Sequence, residues 1–200
     1  MAKPRSVGGL DPSGRLRPNA RRILAVRIDE VYAYDGLIGD PANVTELHDM
    51  RIACKRLRYL LEVFAVAFGG QLAPYVAEVN ELQDMLGDIH DCDVQIPMLQ
   101  THLEWLAARE RAAVQQLVAE GAATRQARPG RSTEAAFRAF RRELGEGLRG
   151  SERLGVHALI GRRRRDREAL YLRFLDEWRR LKEERFRARL EDALGIHAVR

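Results

Sequence analysis

Apolar positions recur with a helical period from Arg15 to Leu194, and alternation at period two is nearly absent, so the pattern predicts an all-α fold. A first helix over Arg15–Tyr34 gathers Ile23, Leu24, Ile28 and Val31 on one face. Residues Gly36–Pro41 predict a turn. Asn43 or Thr45 then caps a long second helix, which Gly69 and Gly70 stop just beyond Phe68. A third helix takes Pro74 at its first position and ends at Gly87. After the Asp-rich stretch Asp88–Asp93, another helix begins near Pro97 and runs up to Gly121. Thr124–Thr133 predicts a linker, and Glu134–Leu148 a short helix that Gly150 ends. The last long helix covers Leu159–Leu194, with Ile160, Tyr171, Phe174, Leu175, Trp178 and Leu181 close to one stripe. Residues 1–14, rich in Gly and Pro, predict a disordered leader, and 15–195 a single helical domain. The expected architecture is an antiparallel helical bundle of about four to six helices, two of them long.

Composition sharpens this picture in one respect. The chain has 200 residues and a net charge of +5, and its 34 basic residues are almost all arginine. A GC-rich coding bias would produce that excess, but guanidinium also offers a planar donor fork to phosphate and carboxylate. No apolar run approaches the ~18 residues of a membrane span. The basic start lacks the apolar stretch of a secretory signal. Cys54 and Cys92 make neither a disulfide framework nor a metal knuckle. A membrane protein, a secreted disulfide scaffold and a zinc finger are thereby set aside, and a cytoplasmic domain is expected.

Charge is also segregated along the chain. Residues 1–30 carry seven bases and three acids, residues 71–110 eight acids and one base, and residues 125–200 21 bases and 12 acids. Blocks of this kind form opposed acidic and basic surfaces, or helices that pair across a fold.

The second helix carries the most informative pattern. At ~100° per residue, His48, Arg51, Lys55 and Arg58 fall within an arc of about 80°. Met50, Ala53, Cys54, Leu57, Leu60, Leu61 and Phe64 share another arc, which predicts the core face. A polyanion laid along the cationic line would meet a positive group each turn, about every 5.4 Å. The plain structural alternative is a solvated basic face answered by nearby acids, and Glu62 stands four residues after Arg58.

A second constellation runs from Leu82 to Val94 and holds Asp84, Asp88, His90, Asp91 and Asp93 around Gly87. These carboxylates either cap the next helix and hold the arginines of the second, or join His90 around magnesium or manganese. His48-Asp49 and His90-Asp91 form two His-Asp doublets, a ligand type of metal-dependent phosphohydrolases. Asp49 is rotated ~100° from His48, so the first doublet does not converge on one ion unaided. The tract Arg162–Arg165 points all round its helix and lacks the interleaved aromatics of a base-stacking surface. A nucleic-acid partner is therefore not favoured.

The segments Leu47–Phe64 (LHDMRIACKRLRYLLEVF) and Leu82–Val94 (LQDMLGDIHDCDV) resemble the two signatures of the CHAD family, the conserved histidine α-helical domain. Ala158–Trp178 is more loosely similar to its closing helix. The resemblance implies a bundle of two similar four-helix units around a basic channel, and binding of inorganic polyphosphate at bacterial polyphosphate granules without enzymatic activity. It carries the polyphosphate contacts onto His48, Arg51, Lys55, Arg56 and Arg58. Arg22, Arg27, Arg162 and Arg163 are additional candidate basic contacts, and Asp88 and Asp91 are expected to position the bases. No cofactor and no metal are expected. The family's His/Arg signature occurs twice, but here once, so the chain is similar to a shortened member with one unit, which completes the channel as a homodimer, exposes a half-channel, or has lost binding. The alternatives are a phosphohydrolase built on the His-Asp doublets and a helical protein-interaction module.

Overall fold

The structure, a computed structural model, describes residues 3–127 and 150–196, and every regular element among them is helical. Helix α1 covers Leu16–Tyr32 and α2 Val44–Phe64, followed by a single 3-10 turn at Ala65–Phe68. Helix α3 spans Ala73–Ala127, α4 Gly150–Glu183 and α5 Phe186–Leu194. The chain divides into two compact units, one of residues 1–93 with 166–200, the other of residues 94–165. The helical-bundle expectation holds, with α2 and α3 antiparallel.

The first unit is built on the apolar stripe of α2. Met50, Cys54, Leu57 and Leu61 are fully buried, and Leu24 and Ile28 of α1 and Leu82, Leu86 and Ile89 of α3 join them in one core. Phe174, Trp178 and Leu181 of α4 and Leu190 and Leu194 of α5 belong to the same core. Each fully buried side chain of this size contributes roughly 1.5–3 kcal/mol by leaving water. Tyr171 donates to the Ile38 carbonyl at 2.9 Å, and Tyr75 to the Arg189 carbonyl at 3.0 Å. Trp178 Nε1 and Lys182 both donate to Asp35, at 2.6 and 2.7 Å. Burial pushes the Asp35 carboxyl up, but these two donors outweigh it and hold the group below the usual carboxylate range. In the second unit Leu106 and Ile160 are buried.

Several predicted boundaries shift. The helix expected to end at Gly87 and the one expected after Asp93 are one uninterrupted helix, with Gly87 and Pro97 inside it. A glycine costs a helix interior only about 1 kcal/mol, which packing of Leu82, Leu86 and Ile89 outweighs. Asp88–Asp93 therefore cap nothing. Asn43 occupies the N-cap position of α2, but its side chain donates to the Leu37 carbonyl at 2.8 Å and makes no cap bond. Gly69 and Gly70 do stop the segment, both at positive φ (61° and 81°). Gly150 is the first described residue of α4. The last long helix is broken at Arg185, which takes the left-handed conformation at φ 55°, and Phe186, Leu190 and Leu194 of α5 reach the core. Helix α3 continues to Ala127, into the stretch expected as a linker. The remainder of that stretch and the short helix expected at Glu134–Leu148 lie outside the described residues.

Ahead of α1, the backbone N–H of Arg5 donates to Glu30 Oε1 at 2.5 Å, and Arg27 Nη2 donates to the Arg5 carbonyl at 2.7 Å. Asp11 and Asn19 exchange a second pair of bonds, at 3.0 and 2.6 Å.

Candidate anion-binding seam

The cationic line of α2 faces the Gln83–Gly87–His90 line of α3. These three residues are spaced by four and three positions, so they share one helix face. The two helices run in opposite directions, which sets Arg58 against Gln83, Arg51 against Gly87 and His48 against His90. Gly87 is thus not a helix break but a low point in the α3 surface, over which the Arg51 side chain passes. A Cβ placed on Gly87 would meet Arg51 Nε at 3.5 Å, ordinary contact distance.

Along this seam the side chains differ in how far they are satisfied. Arg51 is half-buried, its Nε is buried and without a hydrogen-bond partner, and it makes no ion pair among the described residues. Lys55 is half-buried too, without an ion pair among the described residues, and its ammonium lies 5.6 Å from the Tyr59 ring centre. Arg58 is engaged: Nε donates to Gln83 at 3.0 Å, Nη1 to Glu62 at 2.8 Å, and the guanidinium lies over the Tyr59 ring, 4.4 Å from its centre. His48 stacks at a tilt on His90, ring centres 4.5 Å apart, with its Nδ1 buried and unpartnered. Burial, His90 and Arg51 hold the His48 imidazole below the ordinary histidine range, with Asp49 pulling the other way.

Arg56 belongs to a different arrangement. It lies about 80° round the helix from His48 and about 160° from Arg58, and its Nη1 approaches Glu30 Oε2 at 3.5 Å. Glu30 is 5% exposed and also accepts from Arg27 and from the Arg5 backbone. Arg27 is itself 7% exposed, so its charge is committed to Glu30. Arg22 is exposed on α1, while Arg162 and Arg163 lie in the second unit, outside the seam's unit.

Asp88 and Asp91 are exposed on α3 and make no ion pair among the described residues. The partners that hold the α2 cations are Glu30, Glu62 and Gln83. Of the acidic run, Asp93 is the one that takes an arginine, accepting from Arg167 Nε at 2.6 Å. The two His-Asp doublets do bring His48 and His90 together. Among the described residues, however, no group of three His, Cys, Asp or Glu side chains is arranged to hold a metal ion.

Two contributors were not visible in the sequence line. Tyr59, 46% exposed, has both the Lys55 ammonium and the Arg58 guanidinium near its ring centre, at 5.6 and 4.4 Å; its place four residues after Lys55 was the available signal. Gln83 positions Arg58 from another helix, which no local spacing reveals.

The family model described as CHAD domain matches residues 3–100, a span that includes α1, α2 and the seam-forming part of α3. No curated protein and no solved structure matches the chain. No described helix is long and apolar enough to cross a membrane.

Proposed function

We propose, for a chain whose residues 3–100 belong to the CHAD domain family, that it binds inorganic polyphosphate, without chemistry of its own, along the seam of His48, Arg51 and Lys55. The observation that carries this reading is Arg51: a guanidinium nitrogen buried at Nε without a partner, beside a lysine that no carboxylate answers. A buried donor left unmade costs about 1–3 kcal/mol, so an arriving oxyanion recovers what the free protein forgoes. Linear polyphosphate presents an anion at every unit. Cations repeated along one helix face engage it multivalently, and released counterions drive the association, as they do for nucleic-acid phosphates.

The roles within the signature then divide. Arg51 and Lys55 contact the polymer, and His48 stands at the head of the line. Arg58 contributes at the far end, shared with Glu62. Arg56 and Arg27 hold α2 and the leading residues to α1 through Glu30, and bear on binding through the fold. Arg22 is a peripheral contact on the same unit, and Arg162 and Arg163 belong to the second unit. Association with polyphosphate granules and pairing of two copies into a fuller channel follow from the same reading.

Titration of the purified chain with long-chain polyphosphate, duplex DNA and short phosphates at two salt concentrations tests it. Tight binding of the long polymer that weakens steeply with salt is expected, with short phosphates far weaker. Equal affinity for DNA and polyphosphate would reduce the site to a general basic surface.

A further inference from the structure

We propose that His90, packed against His48 at the head of the seam, is a further contact for the polyanion, and that the two imidazoles take up a proton as it binds. The proposal rests on the polyphosphate reading and adds to it a dependence on pH.

The geometry is the starting point. One histidine comes from α2 and the other from α3, with ring centres 4.5 Å apart and planes at 42°. Two imidazolium rings at that distance repel each other, and cations already crowd the approach. Arg51 acts on His48 from the next turn of α2, and Lys55 continues the same line. The opposing charge on α2 is Asp49, beside His48. On α3, the carboxylates beside His90 are the exposed Asp88 and Asp91 and the Asp93 already bound to Arg167. In the free protein His48 is therefore held below the ordinary histidine range.

The second observation is an orphaned atom. His48 Nδ1 is buried and makes no hydrogen bond. Protonating the ring in the free protein would leave one more charged donor with nothing to accept from it. A phosphate oxygen in the seam changes both terms at once, because it accepts from the imidazolium and offsets the repulsion from Arg51 and the second ring. The anion and the proton then favour each other, and linkage requires that each tighten the other equally. Burial, His90 and Arg51 already hold His48 below the ordinary histidine range in the free protein, which leaves room for that uptake in mildly acidic solution.

The test is calorimetric titration of the full chain with long-chain polyphosphate at pH 7.5, 6.5 and 5.5, in buffers of different ionisation heat. The internal phosphates of the polymer and ordinary carboxylates stay ionised through this window, so histidines dominate any uptake. We expect net uptake approaching one proton, with affinity tightening severalfold and up to about tenfold per pH unit. The His48→Phe/His90→Phe double variant keeps ring packing and should still bind through Arg51 and Lys55, with the pH dependence flattened. A His48→Gln/His90→Gln variant serves if the Phe rings disturb the fold. Binding without proton uptake in the unmodified chain would overturn the coupling and leave the polyphosphate reading intact. So would uptake undiminished in the double variant. Failure to bind at every pH would overturn both.

Discussion

Two groups of cations flank helix α2 on opposite sides and meet opposite fates. Arg56 and Arg27 converge on the buried carboxylate of Glu30, while Arg51 and Lys55, no more than a turn or so away, face α3 without any carboxylate among the described residues. The same side-chain chemistry is a fastener in one place and an open valence in the other. What separates them is rotation about α2: the Glu30 side looks towards α1, the seam side towards Gln83, Gly87 and His90. A cation count, or the charge of the whole chain, registers no such distinction. Pairing, set by the neighbouring helix, decides which positive groups a ligand can recruit.

The largest expected effect breaks the fastener. Glu30→Ala leaves Arg27 buried and uncompensated, and removal of one partner from a buried pair costs about 3–5 kcal/mol. Chemical denaturation should show a loss of this order, and a loss below about 1 kcal/mol would mean that Glu30 does not join the leading residues, α1 and α2. Next in size, Arg51→Ala with Lys55→Ala should weaken long-chain polyphosphate at least tenfold, about 1.4 kcal/mol or more. The same variant should leave the denaturation midpoint nearly unmoved, because neither side chain is paired. A large drop in stability would place these residues with the fasteners.

The pH dependence of stability discriminates further. His48 is held below its ordinary value, so on acidification the unfolded chain binds a proton that the native state resists. Stability of the free protein is thus full above the unfolded histidine value of about 6.5 and falls as pH drops through the native value. Melting temperature measured from pH 7.5 to 5 should decline in that window, and less in His48→Phe. Polyphosphate should reverse the trend, protecting more in acid. The smallest effect concerns Arg58: Glu62→Gln removes an exposed i,i+4 pair worth at most ~1 kcal/mol and releases the arginine, so affinity should rise about twofold to threefold. A fall in affinity on that substitution would show Glu62 orienting Arg58 rather than competing for it.

Much of this was legible from periodicity. The apolar face of α2 fell where the core lies, and the arc of His48, Arg51, Lys55 and Arg58 lies along the α3-facing side. The pairing of Arg58 with Glu62 was legible as well, since it is an i,i+4 contact. Cross-helix relations were not. Glu30 and Arg56 are 26 residues apart, and nothing local marks them as partners. Gly87 read as a stop because glycine is a weak helix former, yet it lies inside α3, with the Arg51 side chain beside it. Asp88 and Asp91, the carboxylates of the second signature expected to position the α2 bases, are instead exposed on α3. Charge and spacing identify candidate groups. The register between helices selects among them.

One comparison tests the central claim most directly: polyphosphate affinity of Arg51→Ala/Lys55→Ala beside that of Arg56→Ala, in the same buffer and salt. Glu30 keeps Arg27 in the second protein, so its fold is expected to survive. The account predicts at least a tenfold loss in the first and less than about a threefold change in the second. Equal losses, or a larger loss from Arg56→Ala, would contradict it.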